Sequence, residues 1–532
     1  MRRKSSTVVL AGVASVALGL AACSSSQPAS EPSPDSSTIG SIPGMSQSAI
    51  DVMNSAPYSG SPWALQVSDA KTGESLVSYN STRLLEPASV TKTYSVGSAW
   101  LKFGPDSRIV TPVVRAGKIS GKTLKGNLIL VAKGDITMGG QTGPDGKIVF
   151  TDLDHNDANA IPGATIADND PLAGLDDLAE QVKKSGISEV DGQVIIDDRL
   201  FVTQDLGEED GPVSPIVINN NLIDFVTTPT TPGQLAKVEI RPEVAPWRLV
   251  NRVKTLAAGG DSEIAIDSPR DGVVRLRGTI AADSDPVLKV WHFDDPAAFA
   301  RTAFIEALQR AGVSVTASAT GDNPAALLPS EEAIGDRPEV AKLKGLTFEQ
   351  NATYILKVSY NRGAQTQVCL LAVSVDSKNC DAGFPEMARL LAAAGVDPRN
   401  ASLIDGSGLP GNYVTAQSSA QLMQAFAARP DAERWQQALP IMGVDGSIAT
   451  VQKDSPAKGQ VFAKTGTLAN ADLLNDRLRL ETKALGGYII AKSGRKLAVS
   501  IIMNQAMFDD IQGVFAANED LGKIATSIYE SF

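Results

Sequence analysis

The sequence predicts a multidomain protein of mixed α/β class, with a middle region rich in β structure. The chain has 532 residues, which suits two to four domains of ordinary size. Apolar residues make up 43% of it and charged residues 20%, as in globular proteins that bury a sizeable core. Helical and strand-like apolar patterns are mixed along the chain, and no internal repeat interrupts them.

The first 22 residues are predicted to be an export signal. A basic start, Met1–Ser6, precedes the apolar segment Thr7–Leu20, which is too short to span a bilayer as a stable helix. Cys23 follows Leu-Ala-Ala and precedes serines, which resembles a bacterial lipoprotein signal whose cysteine is lipidated. The alternative is a general secretory signal with a chance cysteine. Residues 23–46, rich in Ser and Pro, are expected to be a flexible tether. We therefore expect an extracytoplasmic protein, lipid-anchored to the cell membrane.

After the tether, the apolar spacing predicts the following elements in order. A first hairpin is expected over Trp63–Ser78, with its turn at Asp69–Gly73. A last hairpin is expected over Tyr488–Met503, turning at Ser493-Gly494. Between them the pattern predicts a helix over Ser89–Leu101, a strand over Gly126–Val131, a helix over Gly174–Lys184, a strand over Val190–Asp197 and a helix over Pro296–Ala311.

Charge and histidine content exclude two function classes. The net charge is −12, whereas nucleic acid requires basic patches, so no nucleic-acid partner is expected. The two histidines, His155 and His292, lie in Asp-rich stretches far from other ligand types. No metal site is therefore predicted, and neither histidine belongs to a recognisable catalytic motif. A serine nucleophile would need another base, and a lysine kept neutral by burial or by a neighbouring cation can serve.

Three short motifs could together supply such a site: Ser-x-x-Lys, Ser-x-Asn and Lys-Thr-Gly. Each occurs more than once, so presence alone proves little. Ser-x-x-Lys begins at Ser68, Ser89, Ser455 and Ser493, Ser-x-Asn at Ser78, Ser359 and Ser377, and Lys-Thr-Gly at Lys71 and Lys464.

Structural context favours one match of each motif. Ser89 opens a predicted helix, which directs its hydroxyl outward and puts its N–H at the positive helix end, with Lys92 on the same face. Ser359-Tyr360-Asn361 follows an apolar stretch and precedes a helical run. Lys464-Thr465-Gly466-Thr467 follows the strand-like Gln460–Ala463, which could pair with an extended peptide. Strand ends, loops and hairpin turns account for the other Ser-x-x-Lys matches and for Lys71-Thr72-Gly73 and Ser78-Tyr79-Asn80.

With these motifs the chain resembles the low-molecular-mass class C penicillin-binding proteins, D-alanyl-D-alanine carboxypeptidases and endopeptidases of the S13 peptidase family. The resemblance covers nearly all of the chain after the tether and includes Asp405–Leu409 and Gly443–Ser447. Half the length of the chain separates Ser89 from Ser359, much more than in single-domain β-lactamases. The resemblance implies an α/β (α+β) serine transpeptidase/β-lactamase-like catalytic domain with large β-rich inserted domains.

The domain organisation that follows divides the catalytic domain into two segments. A signal at 1–22 and the tether at 23–46 precede the first catalytic segment at 47–115. The inserted β-rich domains occupy 116–335, and the second catalytic segment occupies 336–532. Two departures from the family pattern stand out. Tyr360 replaces the aspartate common at that position, and residues 468–484 are longer and more charged than expected. The second departure bears on substrate preference.

The resemblance implies a serine-type D-alanyl-D-alanine carboxypeptidase, with DD-endopeptidase activity as a further option, that trims peptidoglycan stem peptides and is acylated by β-lactam antibiotics. Ser89 would be the nucleophile, Lys92 the base and Ser359 the proton relay. The implied substrate-binding residues are Asn361, Lys464, Thr465, Gly466 and Thr467. The backbone N–H groups of Ser89 and Thr467 would form the oxyanion hole. No metal or organic cofactor is expected.

Two other functions remain open from the sequence: a non-catalytic peptidoglycan-binding lipoprotein that keeps the fold, and a β-lactamase. The cysteines leave a choice as well. With Cys23 lipidated, Cys369 and Cys380 are an even pair in an oxidising compartment. A disulfide between them is expected, and two buried free thiols are the alternative.

Overall fold

Strands from both ends of the chain form one antiparallel five-stranded sheet. The computed structural model describes residues 38–207, 210–270 and 272–532. The predicted signal, Cys23 and most of the tether lie outside the described residues. The helices are α1 (Gln47–Met53), α2 (Lys92–Phe103), α3 (Ala173–Lys184), α4 (Pro296–Arg310), α5 (Glu331–Gly335), α6 (Phe348–Lys357), α7 (Asn361–Val373), α8 (Gly383–Ala393), α9 (Ala416–Ala427), α10 (Ala432–Ala438) and α11 (Gln512–Ser531).

The strands follow the same order along the chain. They are β1 (Trp63–Asp69), β2 (Ser75–Tyr79), β3 (Leu84–Leu85), β4 (Arg108–Ser120), β5 (Thr123–Val131), β6 (Glu189–Asp191), β7 (Val194–Asp197), β8 (Gln204–Asp205), β9 (Pro212–Val213), β10 (Leu222–Thr228), β11 (Lys237–Arg241), β12 (Arg248–Leu256), β13 (Glu263–Arg270), β14 (Val273–Ala281), β15 (Val287–His292), β16 (Ser314–Val315), β17 (Glu339–Thr347), β18 (Ala401–Ser402), β19 (Tyr413–Thr415), β20 (Val461–Asp472), β21 (Arg477–Ile490) and β22 (Lys496–Phe508).

The five-stranded sheet has the order β2-β1-β22-β21-β20. Alternate residues of a strand point to opposite sides of a sheet, and helices pack against both faces of this one. On β22, Ala498 and Ile502 pack with α2, α6, α7 and α9. Val499 and Ile501 pack in a second core with α1 and α11. The sheet is therefore a buried central layer, and its strands are apolar on both faces.

Three sheets in the described middle of the chain share one core. A six-stranded sheet has the order β16-β6-β5-β4-β17, with β7 also paired to β5. Two three-stranded sheets have the orders β11-β10-β15 and β12-β14-β13. Helices α3 and α4 share a core with all three sheets, through residues such as Leu178, Phe304 and Leu276.

The predicted boundaries of the inserted region do not coincide with the ends of β4 and β17. Strand β4 starts at Arg108 and pairs with both β5 and β17. Val113 on β4 and Leu343 on β17 belong to the core of the inserted region. The predicted boundary at 116 therefore cuts β4, and the boundary at 335 leaves out β17. Strands β4 and β17 pair with each other, so both belong to the six-stranded sheet of the inserted region.

The predicted helices agree with the structure within a few residues, and both predicted hairpins form, although the last one extends beyond its predicted bounds, from Arg477 to Phe508. The first hairpin is β1–β2, with Lys71-Thr72-Gly73 in its turn, and the last is β21–β22. One difference lies at the predicted helix over Ser89–Leu101. Its first turn, Ala88–Thr91, is a 3-10 helix, and the α-helix begins at Lys92. Ala88 has φ 45°, which is outside the α region and sets the turn that contains Ser89 apart from the helix.

Cys369 and Cys380 form a disulfide, with a Cα–Cα distance of 4.1 Å. Cys369 lies on α7, and Cys380 begins the short 3-10 turn before α8. Both cysteines are fully buried. The bond therefore ties the end of the second-motif helix to the next helix. In the part of the chain that the structure describes, no helix combines the length and apolar character needed to cross a membrane.

Candidate active site

Ser89 and Lys92 form the centre of the site. The Lys92 Nζ donates a hydrogen bond of 2.8 Å to the Ser89 Oγ. The 3-10 turn and the first helical turn of α2 place both side chains on one face, as residues three apart in a helix should lie. Ser89 is partly exposed, whereas Lys92 is fully buried. Ser89, the candidate nucleophile, is thus accessible from the cavity, whereas Lys92, the candidate base, has no contact with solvent.

Lys92 is held by two further acceptors. Its Nζ lies 2.6 Å from the Asn361 Oδ1 and 2.8 Å from the backbone oxygen of Ser407. Burial lowers the pKa of Lys92 to about 8, against the opposing effect of the carboxylates of Asp210 and Asp405. Near neutral pH a lysine of this kind supplies neutral amine, which is what a general base for a serine requires.

The second motif lies at the junction of two helices. Helix α6 ends at Lys357 and α7 begins at Asn361. Ser359 sits between them with φ 62°, a left-handed conformation that is uncommon for serine and is often stored at functional sites. The junction brings Asn361 to Lys92 and Ser359 to the same cavity as Ser89.

The third motif lies on β20, an edge strand of the central sheet. Gly466 is needed there, because a Cβ at this position would lie 2.1 Å from the backbone oxygen of Pro87 in the nucleophile's turn. Lys464 is fully buried and donates to the backbone oxygen of Thr465 at 2.8 Å. Among the described residues, no hydrogen bond joins Lys464 to Ser359.

The loop Asp405–Leu409 supports the nucleophile from the other side. A Cβ at Gly408 would lie 1.9 Å from the backbone oxygen of Ala88, so the loop packs against the turn backbone to backbone. The Asp405 Oδ1 accepts from the backbone N–H groups of Ser407 and Gly408. This geometry aims the Ser407 carbonyl at Lys92. The sequence singled out the segment without a role for it.

The inserted region contacts the second motif from behind. Asp210 accepts two hydrogen bonds of 3.0 Å from the Asn361 Nδ2. This contact, with the Lys92 bond to Oδ1, fixes which way the Asn361 amide points. Arg362 donates to the Asp210 backbone oxygen and, at 2.6 Å, to the His292 Nδ1. Burial and Arg362 lower the pKa of His292 to about 3, which matches a neutral ring that accepts.

A second contact passes through Asn219, Asn220 and Asn221, which have φ of 49°, 53° and 57°. Asparagine tolerates this left-handed conformation better than most residues. The Asn220 Nδ2 lies 2.5 Å from the hydroxyl of Tyr354 on α6. The inserted region therefore braces both helices that flank Ser359.

One cavity of about 630 Å³ contains most of the predicted site. The predicted residues that line it are Ser89, Ser359, Asn361, Thr465 and Thr467. The long β20–β21 hairpin and the start of α11 form its far wall. The alternative Ser-x-x-Lys serines lie elsewhere: Ser68 is buried in β1, Ser455 bonds to Thr526, and Ser493 is in the β21–β22 turn.

Three residues in or beside the cavity were missed by the sequence reasoning: Asp157, Asp210 and Lys483. Asp157 lines the cavity, and its pKa is raised to about 7 by burial and by Asp154. Lys483 lies on β21 opposite Thr467. Residues 468–484 were noted as unusual, and this was the one available signal for Lys483.

Three buried lysines, Lys92, Lys464 and Lys483, lie in or behind a cavity whose lining also contains aspartates such as Asp152 and Asp157. Among the described residues, no carboxylate lies within salt-bridge distance of Lys92, Lys464 or Lys483. Burial lowers the pKa of Lys464 well below its usual range, and the neighbouring Lys92 lowers it further.

Comparisons with known proteins agree with this geometry. The model of the D-Ala-D-Ala carboxypeptidase 3 (S13) family matches residues 46–518. A D-alanyl-D-alanine carboxypeptidase from Actinomadura sp. strain R39 is 28% identical over 462 residues, which cover 82% of this chain and 77% of that relative.

Two solved structures are similar across nearly the whole chain. The crystal structure of penicillin-binding protein 4 from Haemophilus influenzae has a TM-score of 0.67 and 19% identity, and the match covers 91% of this chain and 99% of that one. A structure of the same protein with a β-lactam has a TM-score of 0.63 and 19% identity, covering 89% and 98%. The predicted fold class, a mixed α/β catalytic domain with inserted β-rich domains, is confirmed. The family match confirms the predicted enzyme class, and the chain belongs to the D-Ala-D-Ala carboxypeptidase 3 (S13) family.

Proposed function

We propose that this chain hydrolyses the terminal peptide bond of D-alanyl-D-alanine peptides through an acyl-enzyme on Ser89. One observation carries the assignment of residues. The partly exposed Ser89 hydroxyl lies 2.8 Å from a fully buried lysine amine whose pKa is lowered to about 8. A serine hydroxyl beside a neutral amine is an activated nucleophile.

In the acylation step the Ser89 Oγ attacks the carbonyl carbon of the penultimate D-alanine. The Ser89 proton passes to the Lys92 Nζ as the new C–O bond forms. The backbone N–H groups of Ser89 and Thr467 are assigned to the developing oxyanion, where each donor contributes roughly 10²–10³ in rate. Asn361 holds Lys92 in place through its Oδ1.

The C–N bond then breaks, and the leaving amine of the terminal D-alanine takes up the proton that Lys92 accepted from Ser89. We assign Ser359 as the relay of this proton, because it lines the cavity beside Ser89. The substrate's terminal carboxylate is assigned to the hydroxyls of Thr465 and Thr467, with Lys464 behind them. The Thr465 hydroxyl is fixed by a 2.8 Å bond to the Ser447 hydroxyl.

Water completes the cycle by attacking the ester carbonyl. Its proton returns through the same base, the C–O bond to Ser89 breaks, and the shortened peptide leaves with a new carboxylate. A β-lactam would acylate Ser89 by the same first step. The β-lactam complex of the Haemophilus influenzae protein supports this component of the proposal.

A second activity, cleavage of cross-links between stem peptides, is favoured by the length of the cavity. The space extends from Ser89 along Leu468–Ala471 to Phe515 and Asn518. A single terminal D-alanine would not fill it, whereas the second peptide of a cross-link would. Release of monomeric peptides from a purified cross-linked dimer tests this activity.

Labelled penicillin separates the proposed function from its alternatives. We expect a long-lived adduct on wild type, none on Ser89→Ala, and an unchanged adduct on the matched control Ser455→Ala. No adduct on wild type would indicate a non-catalytic binding protein, and rapid turnover of the label would indicate a β-lactamase. A peptide map with the label on Ser68 or Ser493 would contradict the choice of nucleophile.

The site of action is a separate proposal, that a lipid on Cys23 holds the protein at the outer face of the cell membrane. The Leu-Ala-Ala-Cys sequence and the serine-rich segment after it support this. In Cys23→Ala the protein should leave the membrane fraction, because the variant lacks the thiol that would carry the lipid. Retention of the variant in washed membranes would refute the anchor.

A further inference from the structure

Lys483 lies directly behind the third motif. It is the cross-strand partner of Thr467 in the β20–β21 ladder, and opposite residues of an antiparallel pair point to the same face. The Lys483 Nζ lies 2.6 Å from the Thr467 Oγ1. Lys483 is 1% exposed, whereas Thr467 is exposed to the cavity. Both residues line the cavity, and the Thr467 hydroxyl is the more exposed of the two to a bound ligand.

This contact decides the direction in which the Thr467 hydroxyl can donate. A protonated lysine has three donors and no acceptor, and a threonine hydroxyl has one proton and two lone pairs. When Lys483 donates to the Thr467 Oγ1, the hydroxyl proton is left to point away from the lysine. The outward direction is the cavity, where a ligand atom must then accept.

The surroundings strengthen this preference. In the described part of the chain, the Thr467 Oγ1 is the one hydrogen-bond acceptor of the Lys483 Nζ, and no carboxylate forms a salt bridge with it. Burial lowers the pKa of Lys483 to about 7. An anion bound at Thr467 would favour the charged amine and would be attracted by it in turn, whereas a neutral amide would gain neither effect.

We propose that Lys483 is a positioning residue that fixes the Thr467 hydroxyl as a donor and makes the site selective for peptides with a free terminal carboxylate over the corresponding amide. The inference rests on the proposed function, since it places the substrate's carboxylate at the third motif. It adds a residue outside the three motifs, at the end of the unusual segment 468–484.

The test is a pair of peptides that differ in one group, an acyl peptide ending in D-Ala-D-Ala and the same peptide ending in D-Ala-D-alaninamide. The ratio of kcat/KM for acid over amide is measured for each variant. A charge-assisted hydrogen bond of ordinary strength corresponds to a selectivity of about 10- to 100-fold. Lys483→Met should remove most of this ratio by lowering the acid value alone, and Lys483→Arg should restore some of it.

A structural role for Lys483 would give a different result, because it would reduce both peptides alike and leave the ratio unchanged. The matched control is Lys496→Met, which removes a lysine from β22 of the same sheet and should leave the ratio at the wild-type value. Thr467→Val should lower the ratio as far as Lys483→Met, and the double variant should lower it no further.

A second measurement covers the case in which peptide turnover is too slow to compare. The rate of acylation by benzylpenicillin relative to its methyl ester should fall in Lys483→Met and not in Lys496→Met. An equal ratio in wild type and Lys483→Met, in protein that still forms the penicillin adduct, would overturn the inference and leave the proposed function intact. Loss of the adduct in wild type would instead overturn the proposed function.

Discussion

The rate of acylation of Ser89 should rise with pH through the pKa of Lys92. Lys92 has three acceptors at 2.6 to 2.8 Å and no exposed surface, and burial lowers its pKa to about 8. The base is active when the amine is neutral, so the rate should be low at acidic pH and level off above pH 8. With this pKa, the neutral fraction grows roughly 50-fold between pH 6 and pH 8.

The assay is the second-order rate of adduct formation with fluorescent penicillin, measured from pH 6 to pH 9 at constant ionic strength. Asp210→Asn provides a perturbation of known sign. The Asp210 carboxylate raises the pKa of Lys92, so its removal should move the midpoint to lower pH. Asp157 and Lys483, whose pKa values are both about 7, also change charge in this range. Their replacement by Asn and Met should leave the rise with pH in place.

Two results would refute this reasoning. A rate that is flat between pH 6 and pH 8 in folded wild-type protein would mean that a neutral Lys92 is not limiting. A midpoint that moves to higher pH in Asp210→Asn would mean that the carboxylate does not act on Lys92 through charge. Circular dichroism across the pH range separates either result from unfolding.

Three further predictions follow from the geometry. Lys92→Arg should slow penicillin acylation by roughly 10²–10⁴, as Lys92→Ala does, since arginine stays protonated and cannot act as a base; Lys464→Arg should be milder, and the reverse order of acylation rates would show that the base has been misassigned. Cys369→Ala with Cys380→Ala should lower the free energy of unfolding by about 2–3 kcal/mol, measured by urea denaturation, and an unchanged midpoint would show that the disulfide does not contribute. Gly466→Ala should abolish the penicillin adduct while the protein stays folded, because the added methyl would lie 2.1 Å from a carbonyl oxygen of the nucleophile's turn; a normal adduct would mean that the strand can move aside.

The sequence predicts those parts of the site whose residues lie close together along the chain, because secondary structure fixes the distances between them. Ser89 and Lys92 are one helical turn apart, so a helix-opening context is enough to predict that they meet. Asn361 begins α7 and Thr465 lies on a strand, as the patterns before and after each motif indicated. In each case the relevant distances are fixed by secondary structure within a few residues.

The long-range contacts could not be predicted in this way. Asp210 reaches Asn361 from the inserted region, and Lys483 reaches Thr467 only because the β20–β21 register sets them opposite each other. No local pattern specifies such pairings, since both depend on how distant segments pack. The predicted boundary at 116 falls within β4, whose pairing with β17 likewise joins segments that are distant along the chain.

The order of strands in the central sheet has a consequence for how the chain folds. Strand β1 lies between β2 and β22, and Trp63 pairs with Met503 near the other end of the chain. Helix α2, which carries Lys92, is therefore synthesised early. The sheet on which it packs cannot form in full until β22, near the end of the polypeptide, has been synthesised. High contact order of this kind slows folding and prolongs the time during which apolar strands are unpaired. The inserted region has a core built largely from its own residues, so it is free to fold first. Once folded, it would bring the two catalytic segments closer together and lower the entropic cost of pairing β1 with β22.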